Sequence, residues 1–293
     1  MTQTISQVPG AEQKLLKRRR PLVWLATVAV AAVVVPVLFS MFTNERFRWG
    51  VVISYLFDPD ILAGLGRTLL LTAVSMSIAV VLGIVLAVMA GANNLLLNSI
   101  SKAYIWIFRG TPVLVQILVW FNLAALYPTL VLGLPFGATL GKWSTNDLIT
   151  PFSAAILGLA LNEAAYMAEI VRAGLTSVDR GQHEAAQALG MHKSLLFRKI
   201  ALPQAMRIIV PPTGNETINM LKNSALVSVI ALPELLYSAQ IIASQNFQVI
   251  PLLLVATIWY LVITSILTLI QSRLEKKFAV RTHTNTARKV PVQ

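Results

Sequence analysis

Residues 61–90 read ILAGLGRTLLLTAVSMSIAVVLGIVLAVMA, and Arg67 is the one charged side chain in the run. A helix crosses the ~30 Å hydrocarbon layer with about 20 residues. This stretch is long enough to span and to tilt or project beyond the lipid. It sets the solvent of the chain as lipid, and the rest of the sequence agrees. Lys and Arg number 24 and Asp and Glu 12, so charged residues are 12% of the 293, while apolar residues are 56%. A soluble domain carries roughly 25% charged residues, and a globule this poor in charge cannot cover its surface. Further apolar windows run over Leu22–Phe42, Tyr104–Leu132, Phe152–Val171, Met206–Ile230 and Pro251–Ile270. The fold class is therefore all-α, a polytopic membrane helix bundle of about six transmembrane helices. Pro211-Pro212 is expected to break the fifth span, because proline removes an N–H and clashes with the preceding turn.

Basic residues set the sidedness. The tail 1–21 holds Lys14, Lys17, Arg18, Arg19 and Arg20. The tail 273–293 holds Arg273, Lys276, Lys277, Arg281, Arg288 and Lys289. The segment between spans four and five holds Arg172, Arg180, Lys193, Arg198 and Lys199. With an even number of spans all three fall on one side, so both termini are expected in the cytoplasm. The net charge of +12 is then a matter of lipid headgroups rather than nucleic acid. The Leu22–Phe42 run is too long for a secretory leader, and no small-x-small cleavage site follows it, so it reads as a retained anchor. Absence of cysteine excludes a disulfide scaffold and thiolate metal sites, and the three His are not at zinc spacing.

The segment 173–205 differs from the short loops elsewhere. It is polar and patterns as two short helices. Ser177 or Asp179 can cap the first by accepting from a free backbone N–H. Gly190 suits the left-handed position that ends it. The second runs about His192–Leu202 with Leu195, Leu196 and Ile200 as its apolar stripe, and Pro203 punctuates the chain. From the residues alone this is either a solvated connector or an element gripped by a cytosolic partner.

The spacing Glu184-Ala185-Ala186, three residues, Gly190, nine residues, Ile200-Ala201-Leu202-Pro203 resembles the EAA loop of ABC-importer permeases. Phe108-Arg109-Gly110-Thr111-Pro112 with Gln116, Thr68-Leu69 with Leu71-Thr72, and Leu221-Lys222-Asn223-Ser224-Ala225-Leu226-Val227 are similar to the polar amino-acid branch (histidine, glutamine and arginine permeases). The likeness covers about Leu62 to Phe278. It implies a type I ABC importer transmembrane domain over 61–272, with 22–42 as a helix additional to the usual five. The stretch Tyr127–Pro151, with Gly133, Pro135, Gly137 and Gly141, reads as an enlarged outer loop. The resemblance further implies amino-acid transport across a bacterial cytoplasmic (inner) membrane. Its implied partners are cytosolic ATP-binding subunits, an extracytoplasmic substrate-binding protein and a second permease subunit, the same chain or a different one. It implies that Glu184, Ala185, Ala186, Gly190, Ile200, Leu202 and Pro203 couple to the ATPase, and Gly190→Asp is expected to uncouple hydrolysis from uptake.

The chain is not expected to be an enzyme or to hold a cofactor. Its nearest approach to a phosphate loop is Gly141-Lys142, with Phe136 where glycine is needed and Trp143 where the Mg²⁺-binding hydroxyl is needed. ATP and Mg²⁺ are expected on the partner.

Ionisable residues at membrane depth cost about 2.5–3.5 kcal/mol each on insertion scales and normally face a cavity or a partner. Gln116, Glu163, Asn215, Glu216, Asn219 and Lys222 are the candidates for a substrate pathway. At ~1.5 Å rise per residue, Glu163 falls near the midplane. Asn215, Glu216, Asn219, Lys222 and Asn223 fall on one helix face. Glu163 suits the ammonium of a zwitterion. The broken end of span five, or Lys222, suits its carboxylate. The alternatives are interhelical hydrogen bonds for the asparagines and subunit contact for Glu163. Glu169 and Arg172 read as a local ion pair, Arg67 as a snorkelling side chain, and Arg109 as part of its turn. The rival function is an ion-coupled secondary transporter of small amphiphilic solutes, which usually shows internal repeats. None is evident.

Overall fold

The computed structural model describes residues 21–133 and 139–278. The expected cytoplasmic placement of the tails rests largely on residues 1–20 and 279–293, and Pro135 and Gly137 belong to the outer loop; all lie outside the described residues. The chain divides into two units, 1–49 and 50–293.

In the first unit, α1 (Pro21–Thr43) is apolar and long enough to cross a membrane. A 3₁₀ turn, Glu45–Phe47, follows it. Trp49 closes the unit by donating its indole N–H to Met41 O at 3.0 Å and stacking on Phe42 and Phe47.

The second unit contains α2 (Trp49–Tyr55, from Gly50 onward), α3 (Pro59–Ala90) and α4 (Leu95–Gly110), then α5 (Val113–Phe121) and α6 (Leu123–Leu126). Strands β1 (Thr129–Gly133) and β2 (Thr139–Ser144) pair antiparallel, Thr129 opposite Ser144. After α7 (Thr145–Leu148) come α8 (Pro151–Thr176), α9 (Arg180–Ala188), α10 (Lys193–Leu196) and α11 (Leu202–Asn223). The last described helices are α12 (Leu235–Asn246) and α13 (Val249–Phe278). Four described helices are long and apolar enough to cross a membrane, and the number reaches six if each of two bent helix pairs is one span. The bundle is helical as expected, with one correction: part of the enlarged loop folds as a β-ribbon. Its Val131 and Trp143 carry the β-branched and aromatic side chains that suit a pleated surface.

The bundle is built around α8. Ala154, Ala155, Ala160, Ala164, Ala165 and Ala168 are all buried. Small residues let neighbouring backbones approach, which supplies packing where lipid offers no hydrophobic drive. α3 exploits this at Gly83, where an added Cβ would stand 2.5 Å from Met167 Cβ and 3.0 Å from the Ala168 amide. The outward faces carry Leu70, Val81, Val85 and Val88, exposed as a lipid-facing surface needs.

Three expectations are corrected. Tyr104–Leu132 is not one straight span. α4 and α5 meet at Thr111-Pro112 with a bend of 102°, because the Pro112 nitrogen has no hydrogen to continue the ladder. Pro211-Pro212, in contrast, does not break its span. Both prolines lie inside continuous α11, whose neighbours α8 and α13 pack along it and whose Pro211 carbonyl accepts from Gln271 Nε2 at 3.4 Å. The break comes later, at the 3₁₀ segment Ser224–Ile230 and Pro233. Finally, α13 continues to Phe278, so the tail expected from residue 273 begins after that helix.

Candidate functional site

Pro112 creates the site. An uninterrupted helix would pair the residue-112 N–H with Phe108 O. Proline leaves that carbonyl without its partner, and a buried carbonyl must find another. Phe108 O accepts from Asn162 Nδ2 at 2.7 Å and from Gln116 Nε2 at 3.0 Å. Gln116 Nε2 also reaches Thr111 O and Oγ1, at 3.1 and 2.7 Å. Tyr104 adds a hydroxyl bond to Leu161 O at 2.8 Å. The bend is thereby pinned to α8, and the start of α5 is left facing inward without a side-chain cap.

Beside the bend is a polar cavity of about 600 Å³. The end of α4 and the bend contribute Arg109 to Val113; α8 contributes Asn162, Glu163 and Tyr166; α11 contributes Glu216, Asn219, Lys222 and Asn223. Glu163 is 4% exposed, and its Oε1 has no hydrogen-bond partner among the described residues. Asn219 Nδ2 donates to Glu216 Oε2 at 3.2 Å. Arg109 lies with its guanidinium carbon 5.1 Å from the Tyr166 ring centroid, a cation–π contact. One cavity thus gathers two carboxylates, two cations and the N-terminus of a helix, whose free N–H groups favour an anion.

This gathers Glu163, Glu216, Asn219 and Lys222 as the sequence suggested. It separates two others. Gln116 does not line the cavity; it is committed to the bend. Asn215 faces α13, accepting from Gln271 Nε2 at 2.8 Å, beside a second polar cavity that Asn219 and Lys222 share. The helix end that meets the main cavity belongs to span three, not span five. Arg109, Asn162 and Tyr166 were missed as cavity residues. The signal for Asn162 was available, since a Pro four residues after Phe108 demands a replacement donor. Arg67 does more than snorkel: its Nη1 donates to Pro233 O at 2.9 Å. Glu169 and Arg172 do form their local ion pair.

The segment between α8 and α11 forms an elbow. Asp179 caps α9 by accepting from Gly181 N at 2.7 Å. Met191 N donates to Ala186 O at 3.0 Å and Gly190 N to Gln187 O at 2.9 Å, the paired bonds of a Schellman end, with Gly190 at φ +71°. Glu184 and Ala185 are exposed on α9; Ala186 is 1% exposed and turns inward with Val178 and Leu196. His192 caps α10, accepting at Nδ1 from Leu195 N at 3.2 Å. No separate second helix ends at Pro203. A π turn, Phe197–Ala201, holding half-buried Ile200, runs straight into α11, with Leu202 N donating to Phe197 O. Pro203 occupies the first turn of α11. The elbow is therefore continuous with the helix that carries Glu216 and Asn219.

Residues 79–280 match the family described as binding-protein-dependent transport system inner membrane component. The chain is 45% identical to the arginine transport system permease protein ArgU of Corynebacterium glutamicum, over 98% of this chain and 92% of that protein. It is 37% identical to the nopaline transport system permease protein NocM of Agrobacterium fabrum, over 70% and 82%. Among solved structures, one described as an amino acid ABC transporter with histidines matches at TM-score 0.64 and 36% identity, covering 75% of this chain and 95% of that one.

Proposed function

The chain belongs to the family of binding-protein-dependent transport system inner membrane components, as the permease subunit of an amino-acid ABC importer, and from that premise we propose that the polar cavity passes the amino acid while the Gly190 elbow receives the force. The observation that carries the reading is Glu163 and Glu216 lining one cavity opposite Arg109 and the start of α5. A zwitterion needs an anion for its ammonium and a cation or free N–H groups for its carboxylate. Glu163 takes the ammonium. Arg109 and the α5 N-terminus take the carboxylate, with Lys222 behind them. A guanidinium side chain needs a further carboxylate, and Glu216 supplies it. The full-length similarity to an arginine permease supports a basic amino acid.

Hydrolysis belongs to a separate chain that holds ATP and Mg²⁺. The exposed Glu184 face of α9 is the seat for that ATPase, since charge-assisted hydrogen bonds to a carboxylate are strong. Because the elbow runs without a gap into α11, its movement tilts the helix bearing Glu216 and Asn219. A substrate-binding protein delivers from the opposite side, and a second permease subunit completes the pathway. The basic residues of the elbow and of the tails support a cytoplasmic side for all three. Family membership sets aside the ion-coupled carrier.

The test is reconstitution with the ATPase and binding protein in vesicles, following labelled arginine. ATP-driven uptake is expected, with Glu163→Gln losing uptake while the ATPase stays bound. Uptake on an ion gradient without nucleotide, or Glu163→Gln with full uptake and affinity, overturns it.

A further inference from the structure

A second cavity of about 440 Å³ lies between α3, α8, α11 and α13, and no step above uses it. Its wall is apolar, with Ile84, Met167, Met206 and Val210 among its residues. Thr213 and Thr217 also line it, but their hydroxyls donate back to Ile209 O and Thr213 O at 2.8 and 2.9 Å, so their protons are already committed. Along α11 it extends from Leu202 to Thr217, about 22 Å at ~1.5 Å per residue. That matches the depth of one leaflet with its headgroups, about 20–22 Å. A narrow apolar slot of this length suits an acyl chain.

Phe197 and Leu274 line the elbow end. Next to them in the chain, Arg198 and Arg273 are exposed and have no ion-pair partner among the described residues. Glu275, the acid of this end, already accepts from Gln271 Nε2 at 2.8 Å. An apolar slot one leaflet deep with unpaired cations at its mouth describes an amphiphile with an anionic head. We infer that the groove binds an anionic phospholipid of the leaflet on the elbow side, its tail along α11 and its phosphate at Arg198 and Arg273. The headgroup then sits at the root of the elbow, where α10 passes through the π turn into α11. The function proposed above enters in naming this leaflet cytoplasmic.

The full chain, with whatever subunits co-purify, is placed in nanodiscs containing phosphatidylglycerol or phosphatidylcholine, each with a photoreactive diazirine on its acyl chain. Cross-links are mapped by peptide. Phosphatidylglycerol is expected to mark the peptides bearing Ile84 and Val210, and phosphatidylcholine to do so severalfold less. Arg198→Gln with Arg273→Gln should weaken the phosphatidylglycerol signal about fivefold per charge removed. Val210→Trp should reduce it by filling the slot. The charge variant lies on the surface and keeps the test valid if the tryptophan variant misfolds. Equal labelling by the two lipids, or labelling no richer in the groove than on the outer face of α3, overturns the site. Because the chain has no cysteine, Val210→Cys can be paired with single cysteines in α1; an efficient disulfide, within one chain or between copies, overturns it too. The readout needs no transport, so failed uptake with intact selective labelling would sink the permease mechanism and leave the lipid site standing.

Discussion

Tyr260, on α13, donates its phenolic hydrogen to Oε2 of Glu234 at 2.8 Å, across the break that separates α11 from α12. Glu234 is fully buried. It also accepts from Tyr237 N at 2.8 Å and Leu236 N at 3.0 Å, capping α12, while Thr68 Oγ1 approaches at 3.4 Å and itself accepts from Leu235 N at 3.1 Å. One carboxylate thus ties α3, α12 and α13 together with hydrogen bonds alone. Hydrogen bonds to a charged group contribute about 1.5–3 kcal/mol, so Tyr260→Phe should lower the melting midpoint of the detergent-solubilised protein. Glu234→Gln keeps an oxygen for the cap and should lose less than Glu234→Leu, which also strands Tyr260. An unchanged midpoint in Tyr260→Phe would show that the tie is idle.

Two glycines of α3 should respond to alanine in opposite directions. Gly83 has no room for a Cβ against Met167, and Gly66 has nothing within 4 Å of one. Gly83→Ala forces α3 away from α8, with overpacking costing about 1–3 kcal/mol. Gly66→Ala loses no space and should stabilise by roughly 0.5–1 kcal/mol through reduced freedom of the unfolded chain. Thermal unfolding of the pair decides it; equal shifts would mean that the close approach does not limit packing.

Legibility from sequence followed the range of the interactions. The long apolar runs and the Asp179 to Gly190 elbow depend on local rules, and α3, α8, α9 and the left-handed Gly190 stand where those rules put them. The cavity depends on contacts far apart in the chain. Glu163 and Glu216 could be picked out because ionisable groups at depth need a reason. Arg109 gave no such sign, since its role depends on Tyr166, 57 residues away, lying under it. Proline alone does not locate a break without tertiary context. Pro211 and Pro212 sit in a helix flanked by α8 and α13, whereas Pro112 stands where Asn162 and Gln116 offer the displaced carbonyl new donors. Glu234 went unnoticed because its partners come from three separate helices.

At Gly190 nothing lies within 4 Å of the place a Cβ would take, so space is not the constraint there. The constraint is φ +71°, which costs a residue with a Cβ about 1–2 kcal/mol. Asparagine tolerates that region better than valine. Gly190→Asn should keep ATP-driven uptake close to that of the parent, and Gly190→Val should reduce it severalfold with the ATPase still co-purifying. Gly190→Asp also tolerates the conformation, so a loss of coupling in that variant reports the added negative charge at the elbow. Equal uptake by the asparagine and valine variants would remove backbone handedness from the coupling argument.

The last prediction concerns how the 102° bend is held. Pro112 withholds the donor that Phe108 O would otherwise receive, and Asn162 and Gln116 take that carbonyl instead. Pro112→Ala returns a helix N–H to the chain, yet the carbonyl is already occupied, so the single change should leave the bend in place. Gln116→Leu alone should also leave it, because the proline still forbids the straight helix. The two together free the lone pair that Gln116 held, with Asn162 keeping the other, and supply a local donor for it, so the effects should be coupled by about 0.5–3 kcal/mol. The absence of native cysteine allows spin labels at exposed Ile107 and Val119. A straight helix separates these positions by about 18 Å along its axis at ~1.5 Å per residue. The parent and both single variants should share one shorter separation, and the double variant should lengthen towards the straight value and lose uptake, because Arg109 and the start of α5 leave the cavity together. If Pro112→Ala alone already lengthens the distance, the side-chain donors follow the bend rather than hold it.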